Sequence, residues 1–287
     1  MPRIIYVNGV YTQSAAAAVS VEDRGYQFGD AVYEVCEVRD GCLIDETRHM
    51  ARLERSLSEL SIAVPMSRAA WARVLRETIR RNRVHNGSVY LQVSRGVASR
   101  EFLFPADHVR PTVVVIARHA DPAQGEARAA KGIGVVTMPD NRWGRCDIKT
   151  VMLLPASLAK EQANKSGARE AWFVNADGHV TEGASSNAWI VTAKGELVTR
   201  AADAAILRGV TRMTAIDVAE SLQLKFIERS FTVAEAKAAR EAFITSAGNV
   251  VMPVISVDGA AIGQGVPGPI TVKLRAAFHG IAECVEI

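Results

Sequence analysis

Three short stretches of the chain carry residue types that could do chemistry. Lysine is scarce, yet Lys149 stands in Cys146-Asp147-Ile148-Lys149-Thr150-Val151-Met152-Leu153-Leu154, at the head of an apolar run. On a strand it would share a face with Asp147, Val151 and Leu153. Apolar neighbours strip solvent from an ammonium group, lower its pKa and leave a neutral amine able to attack a carbonyl, which is Schiff-base chemistry. The same stretch also suits an edge-strand lysine directed at water. The second is Thr181-Glu182-Gly183-Ala184-Ser185-Ser186-Asn187-Ala188-Trp189. A carboxylate among small residues can approach a ligand closely, and a protonated heterocyclic nitrogen would be its natural partner; a plain turn would look the same. The third is Ile206-Leu207-Arg208-Gly209-Val210-Thr211-Arg212, where a glycine precedes a helical pattern. The first N–H groups of that helix offer an anion site, or simply begin a helix.

These stretches need elements to hold them. Asn8-Gly9, Asp40-Gly41, Asp177-Gly178, Lys194-Gly195 and Asp258-Gly259 each separate two strand-like runs, and each predicts a hairpin. Met50, Leu53, Leu57 and Leu60 fall on one face of a helix over about 46–61, followed by another over about 68–83. Further helices are expected near 155–166, 209–222 and 269–282. Clustered hairpins with helices between them indicate an α+β fold with mainly antiparallel sheets, and two sheets make two domains. The boundary falls in a linker at 119–126, whose Pro122 and Gly125 break regular structure. That leaves a small N-terminal domain over 1–118 and a larger C-terminal domain over 127–287.

Composition excludes several classes of function. The 287 residues are 48% hydrophobic and 23% charged, as in an ordinary globular protein. The net charge of +3 is too slight to imply a nucleic-acid partner. No apolar run approaches the roughly 18 residues of a membrane span, and the first residues lack the pattern of a signal peptide, so the chain reads as cytoplasmic. Cys36, Cys42, Cys146 and Cys284 have no CxxC spacing and are expected as reduced thiols, with no metal site. A GxGxxG string at Gly263–Gly268 is followed by only one helix, too little for a dinucleotide-binding βαβ unit.

Taken in register, the strings resemble the fold-type IV pyridoxal-phosphate aminotransferases over nearly the whole chain. The most specific are Glu182-x-Ala184-x-x-Asn187, Leu197-x-Thr199 and Leu207-x-Gly209-Val210-x-Arg212. Glu22-Asp23-Arg24-Gly25-Tyr26-Gln27-Phe28-Gly29-Asp30-Ala31-Val32-Tyr33-Glu34-Val35 is similar to the D-amino-acid transaminase subgroup. So are Asn141–Lys149 and Tyr90–Gly96.

The resemblance implies a cofactor, pyridoxal 5′-phosphate, and roles around it. Lys149 would bind it covalently and then shuttle a proton. Glu182 would pair with the ring nitrogen, and Leu207 would pack against the ring. The phosphate would fall to Arg52 with Val210 and Thr211, and to the backbone of Ala247 and Gly248, where relatives carry a hydroxyl. The substrate carboxylate would meet Tyr33 and Arg100, and Phe102 stands where the subgroup has a histidine. The implied activity moves an amino group from a D-amino acid to a 2-oxo acid such as pyruvate or 2-oxoglutarate, in ping-pong fashion. The partners would be small amino and oxo acids, in a homodimer whose substrate site the partner subunit completes. An (R)-selective amine transaminase, a branched-chain transaminase and, further off, an aminodeoxychorismate lyase are the alternatives.

Overall fold

A computed structural model describes residues 3–287. The chain divides into two compact units. Of the described residues, the first comprises 3–122, 148–152 and 283–287, and the second 123–147 and 153–282.

In the first unit, β1 (Ile4–Val7), β2 (Val10–Gln13), β3 (Ala31–Arg39), β4 (Cys42–Ile44), β5 (Gly87–Ser94) and β6 (Thr112–His119) join the C-terminal strand Cys284–Glu286 in one sheet. The order is C-terminal strand, β4, β3, β5, β6, β1, β2, and every pairing is antiparallel. Asn8-Gly9 and Asp40-Gly41 make the expected hairpins, because Asn8 and Asp40 tolerate positive φ before a glycine. A five-residue helix, α1 (Arg24–Phe28), is capped by Asp23 and ended by Gly29 at φ 70°. Helices α2 (Glu46–Glu59) and α3 (Arg68–Asn82) turn Met50, Leu53, Leu57, Trp71, Leu75 and Ile79 into a core with Val89, Leu91 and Val115 of the sheet.

The second unit holds β7 (Ile133–Pro139), β8 (Glu170–Val174), β9 (Val180–Gly183), β10 (Asn187–Val191), β11 (Leu197–Thr199), β12 (Phe226–Glu228), β13 (Glu241–Ser246), β14 (Val250–Val257) and β15 (Ala260–Ala261). They form a mixed sheet in the order β12, β11, β10, β13, β14, β7, β8, β9, with β15 on β14. The pairs β11–β12, β14–β7 and β7–β8 are parallel and the others antiparallel. Asp177-Gly178, Lys194-Gly195 and Asp258-Gly259 sit in its hairpin turns. Its helices are α4 (Pro122–Lys131), α5 (Leu154–Lys165), α6 (Val210–Ser221), α7 (Val233–Lys237) and α8 (Pro269–Ile281).

Three expectations need correction. Residues 119–126 are not an irregular linker: β6 runs through His119 and α4 begins at Pro122. Proline at the start of a helix lacks an N–H that would have had no partner there, so it opens α4 rather than breaking it. Cys42 and Cys284 are joined in a disulfide, not reduced. Their separation of 242 residues hides the pairing from sequence; it arises because the last strand adds to β4. Lys149 is on no regular strand. Only Thr150 bridges Val32, and Met152 and Leu153 are exposed, so the supposed apolar strand face does not form. Among the described residues no helix is long and apolar enough to cross a membrane, and no group of residues is placed to hold a metal ion.

Candidate active site

In the first unit Lys149 lies against the start of β3. Its carbonyl accepts from the Tyr33 N–H at 3.0 Å, and its own N–H donates to the Ser56 hydroxyl of α2 at 3.4 Å. Its Nζ stands 4.3 Å from the centre of the Tyr33 ring. An aromatic face, rather than the aliphatic strand neighbours expected, thus forms one wall beside the amine. Tyr33 also packs on Tyr90, ring centres 5.6 Å apart. Burial and the neighbouring Tyr33 push the Tyr90 phenol up to about 12.

Arg52 is half-buried on α2, and its fork holds Glu34: Nε and Nη2 each donate to a carboxylate oxygen at 2.7 Å. His49 adds Nδ1 at 2.8 Å to the same carboxylate. Glu34 is fully buried; burial opposes its charge, but the charge and hydrogen bonds of Arg52, with His49, outweigh that and leave it at about 2. Glu34 stands in the Glu22–Val35 string with no role expected for it, and His49 lies in none of the strings singled out in the sequence. Glu34 points to the α2 side of the sheet, where Arg52 and His49 sit one helical turn apart.

The Arg100–Phe102 segment is an exposed loop, with Phe102 at 84% of full exposure. The Arg100 guanidinium lies 5.3 Å from the centre of the Phe28 ring, and Phe102 meets the same ring edge-on. The loop is fastened from beneath. Buried Arg24, at the start of α1, donates to the carbonyls of Glu101 at 2.6 Å and Leu103 at 3.3 Å. Arg24 and Arg95 both grip Asp30, and Arg95 lies 3.7 Å from the centre of the Phe104 ring. The Arg24-Gly25-Tyr26-Gln27-Phe28-Gly29-Asp30 string therefore builds the platform for the loop. Gly25 is required there, because a Cβ would fall 2.8 Å from the Ser94 Cβ.

In the second unit a tight turn brings Glu182, at the end of β9, beside Asn187, at the start of β10. The Gly183 N–H donates to the Ser186 carbonyl at 2.7 Å, and a side chain on Gly183 would collide with the Ser186 hydroxyl. Asn187 Nδ2 then donates to Glu182 Oε2 at 3.0 Å and to the Leu207 carbonyl at 2.9 Å. The Leu207 N–H donates to the same Oε2 at 3.1 Å. On the other oxygen Arg142 Nη1 donates to Glu182 Oε1. Glu182 is buried and anchored by a charged, an amide and a backbone donor, which is more than a plain turn needs. The Leu207–Thr211 stretch follows directly. Gly209 caps α6 without a side-chain hydrogen bond, and a Cβ there would strike Asn187 Oδ1. Val210 and Thr211 present the first N–H groups of that helix, where an anion is favoured. Ala247 and Gly248 form the turn after β13, and the space beside Gly248 is open.

Arg142 and Asp140 escaped the sequence reading as site residues. Nothing in a spacing of 40 residues announces that Arg142 will reach Glu182; the contact exists because β9 returns antiparallel beside β8, next to the end of β7.

The family profile described as Amino-transferase class IV matches residues 31–257. A D-alanine aminotransferase of Staphylococcus haemolyticus is 37% identical over 279 residues, covering 97% of this chain and 98% of the relative. One of Bacillus licheniformis is 38% identical over 276 residues, covering 96% and 95%. Among solved structures, the branched-chain amino acid aminotransferase of Escherichia coli superposes with a TM-score of 0.89 at 24% identity, over 98% of this chain and 95% of that one. A hypothetical aminotransferase of Mycobacterium tuberculosis in its PLP-bound form gives 0.80 at 23%, over 96% and 98%. These structures share the fold.

Proposed function

This chain belongs to the class IV aminotransferases, and from that premise we propose that it moves the amino group of a D-amino acid to a 2-oxo acid such as pyruvate or 2-oxoglutarate, by ping-pong half-reactions with pyridoxal 5′-phosphate as cofactor. The full-length likeness to D-alanine aminotransferases carries the choice of D-amino acids.

The residues fit that cofactor. A carboxylate fixed by three donors suits a protonated ring nitrogen, and the start of α6 behind a glycine suits a phosphate. Arg52, Val210, Thr211 and the backbone of Ala247 and Gly248 hold the phosphate, Leu207 packs on the ring, and Lys149 is the covalent anchor. When bound, the group supplies an electron sink for the pair left as the substrate Cα–H bond breaks. Glu182 keeps the ring nitrogen protonated. Lys149 Nζ takes the proton from the substrate Cα and delivers it to C4′ of the cofactor rather than back to Cα, and the Tyr33 ring keeps water from one side of that amine. Glu34 holds the Arg52 fork in one orientation.

Tyr33 and Arg100 bind the substrate carboxylate, in a homodimer whose partner subunit contributes the loop. Phe102 favours a second reading, an (R)-selective amine transaminase, because an exposed ring with no donor suits a substrate lacking a carboxylate. A cytoplasmic location fits free amino and oxo acids as substrates. The Cys42–Cys284 bond speaks against it, and a thiol count on protein alkylated at the moment of cell lysis, before its thiols can exchange, tests it.

Single half-reactions with D-alanine, L-leucine and (R)-1-phenylethylamine, followed by the absorption of the bound cofactor, test the proposal. D-Alanine should react fastest. Faster reaction with L-leucine would overturn the D-amino-acid reading, and faster reaction with the amine would move the assignment to the second one.

A further inference from the structure

Glu182 belongs to a charge arrangement that extends through Arg142 to a second acid, Asp140. Among the three donors described above, the Arg142 guanidinium is the charged one. That guanidinium is divided. Asp140 accepts from Nε at 2.9 Å and Nη2 at 2.8 Å, while Glu182 accepts from Nη1. Asp140 is fixed in turn by the Thr181 hydroxyl at 2.7 Å. Nη2 also reaches the Ala205 carbonyl at 3.3 Å, and the guanidinium lies 4.6 Å from the centre of the Phe173 ring, so rotating it away would break the fork and the stack together. The three charged side chains are 7–13% exposed, where electrostatic coupling is stronger than at a surface. Burial works against the charge of Asp140, but the bonds from Arg142 and Thr181 outweigh it and hold the carboxyl below its ordinary value. A cavity of about 440 Å³ borders Asp140, Arg142 and Thr181, so protons can exchange with the cluster from that side.

We propose that Arg142, clamped by Asp140, is the positioning residue for Glu182: it keeps that carboxylate ionised and aimed, and its division between the two acids sets how tightly Glu182 holds a proton. The proposal rests on Glu182 being the partner of the cofactor's ring nitrogen. Without Arg142, Glu182 would lose that charged donor and face Asp140 without the guanidinium that bonds them both, and a like charge in a desolvated place raises proton affinity. A glutamic acid that carries its own proton no longer holds one on a ring nitrogen. Without the charge of Asp140, Arg142 belongs to Glu182 alone and the proton affinity falls. The two changes therefore act with opposite sign, which loosened packing would not produce.

The test follows the Glu182 carboxyl carbon by NMR in the full chain labelled with [5-¹³C]glutamate and freed of cofactor, the signal being identified by its absence in Glu182→Gln. Arg142→Gln should raise the proton affinity of Glu182 tenfold or more, and Asp140→Asn should lower it several-fold. If Arg142→Gln does not fold, Arg142→Lys replaces it: an ammonium cannot serve both acids as a fork does, so the shift should keep its sign and shrink. Shifts of the same sign in the Arg142 and Asp140 variants, or none in the Arg142 variant, would overturn the proposal. A parallel pH titration of the holoenzyme's visible absorption separates it from its premise. An unchanged profile in Glu182→Gln would remove Glu182 as the ring-nitrogen partner and the proposal with it; a changed profile with failed opposite shifts would remove Arg142 alone.

Discussion

The cradle of Glu182 and the loop of Arg100 are both organised by arginines, in opposite ways. In the cradle, Arg142 divides its donors between a buried and a partly buried carboxylate and leaves little freedom to the side chain that would touch a ligand. In the loop, Arg24 and Arg95 hold backbone carbonyls, a single aspartate and ring faces, while Arg100, Phe102 and Leu103 stay exposed. The first arrangement fixes a charge; the second fixes a path of the chain and leaves its side chains free to be exchanged. A step common to every substrate needs the former, and a pocket that must differ between relatives is better served by the latter. The departure from the subgroup pattern at Phe102 falls in the loop.

The largest expected effect breaks the fixed side of this comparison at its reactive atom. Lys149→Ala should abolish turnover, the visible band of the bound cofactor and the covalent product trapped by borohydride. A borohydride-fixed product at full yield in that variant would assign the anchor elsewhere.

Next comes the other rigid charge cluster, Glu34 with Arg52 and His49. Removing one partner of a buried ion pair destabilises by about 3–5 kcal/mol, so Glu34→Gln should lower the unfolding free energy at pH 7 by that order. The carboxyl sits at about 2 in the folded protein against an ordinary value of 4.5, so its contribution is complete above 4.5 and is lost as pH falls toward 2. Urea unfolding of both proteins at pH 7, 4 and 3 should show the difference shrinking on acidification. A gap that stayed constant or widened would place the effect in packing rather than charge.

The same contrast explains what could be read from sequence. Turns are local: Asn8-Gly9 or Asp258-Gly259 contain the residues that permit positive φ, so the hairpins were legible. Helices α2 and α3 were legible because their apolar stripes repeat within a few residues. The chemistry at Lys149 and Glu182 was legible as residue types in strings, but not their surroundings. The Tyr33 ring beside Lys149, Arg142 on Glu182 and Glu34 between Arg52 and His49 all depend on strand order, which no local pattern encodes. The pairing of Cys42 with Cys284 was hidden for the same reason, and Glu283, next to it, caps α2 by accepting from the Thr47 N–H at 2.9 Å.

On the exchangeable side, Arg100→Ala should discriminate between substrates. A lost charged hydrogen bond is worth about 1.5–3 kcal/mol, roughly 10- to 150-fold in kcat/KM, for a substrate whose carboxylate Arg100 binds. The loop itself should survive, since Arg24 and Arg95 hold it through Glu101, Leu103 and Phe104 rather than through Arg100. D-Alanine should therefore lose far more than (R)-1-phenylethylamine, and equal losses would assign Arg100 to folding or subunit contact.

The smallest expected effect is the sharpest probe of the loop. Phe102→His exchanges an exposed ring for one with a donor, at a position where the backbone on either side is held by Arg24 through the Glu101 and Leu103 carbonyls. The histidine should occupy the same place against Phe28, with little change in stability. A neutral hydrogen bond to the substrate carboxylate contributes about 0.5–1.5 kcal/mol, so kcat/KM for D-alanine should rise by roughly 2- to 12-fold while the amine stays level or falls. The gain should shrink in the Arg100→Ala background if the two side chains share one carboxylate, because a carboxylate no longer fixed by the guanidinium is less well placed for the histidine donor. An undiminished gain in the double variant would mean that histidine acts on another part of the substrate, and the loop would then determine side-chain preference rather than carboxylate binding.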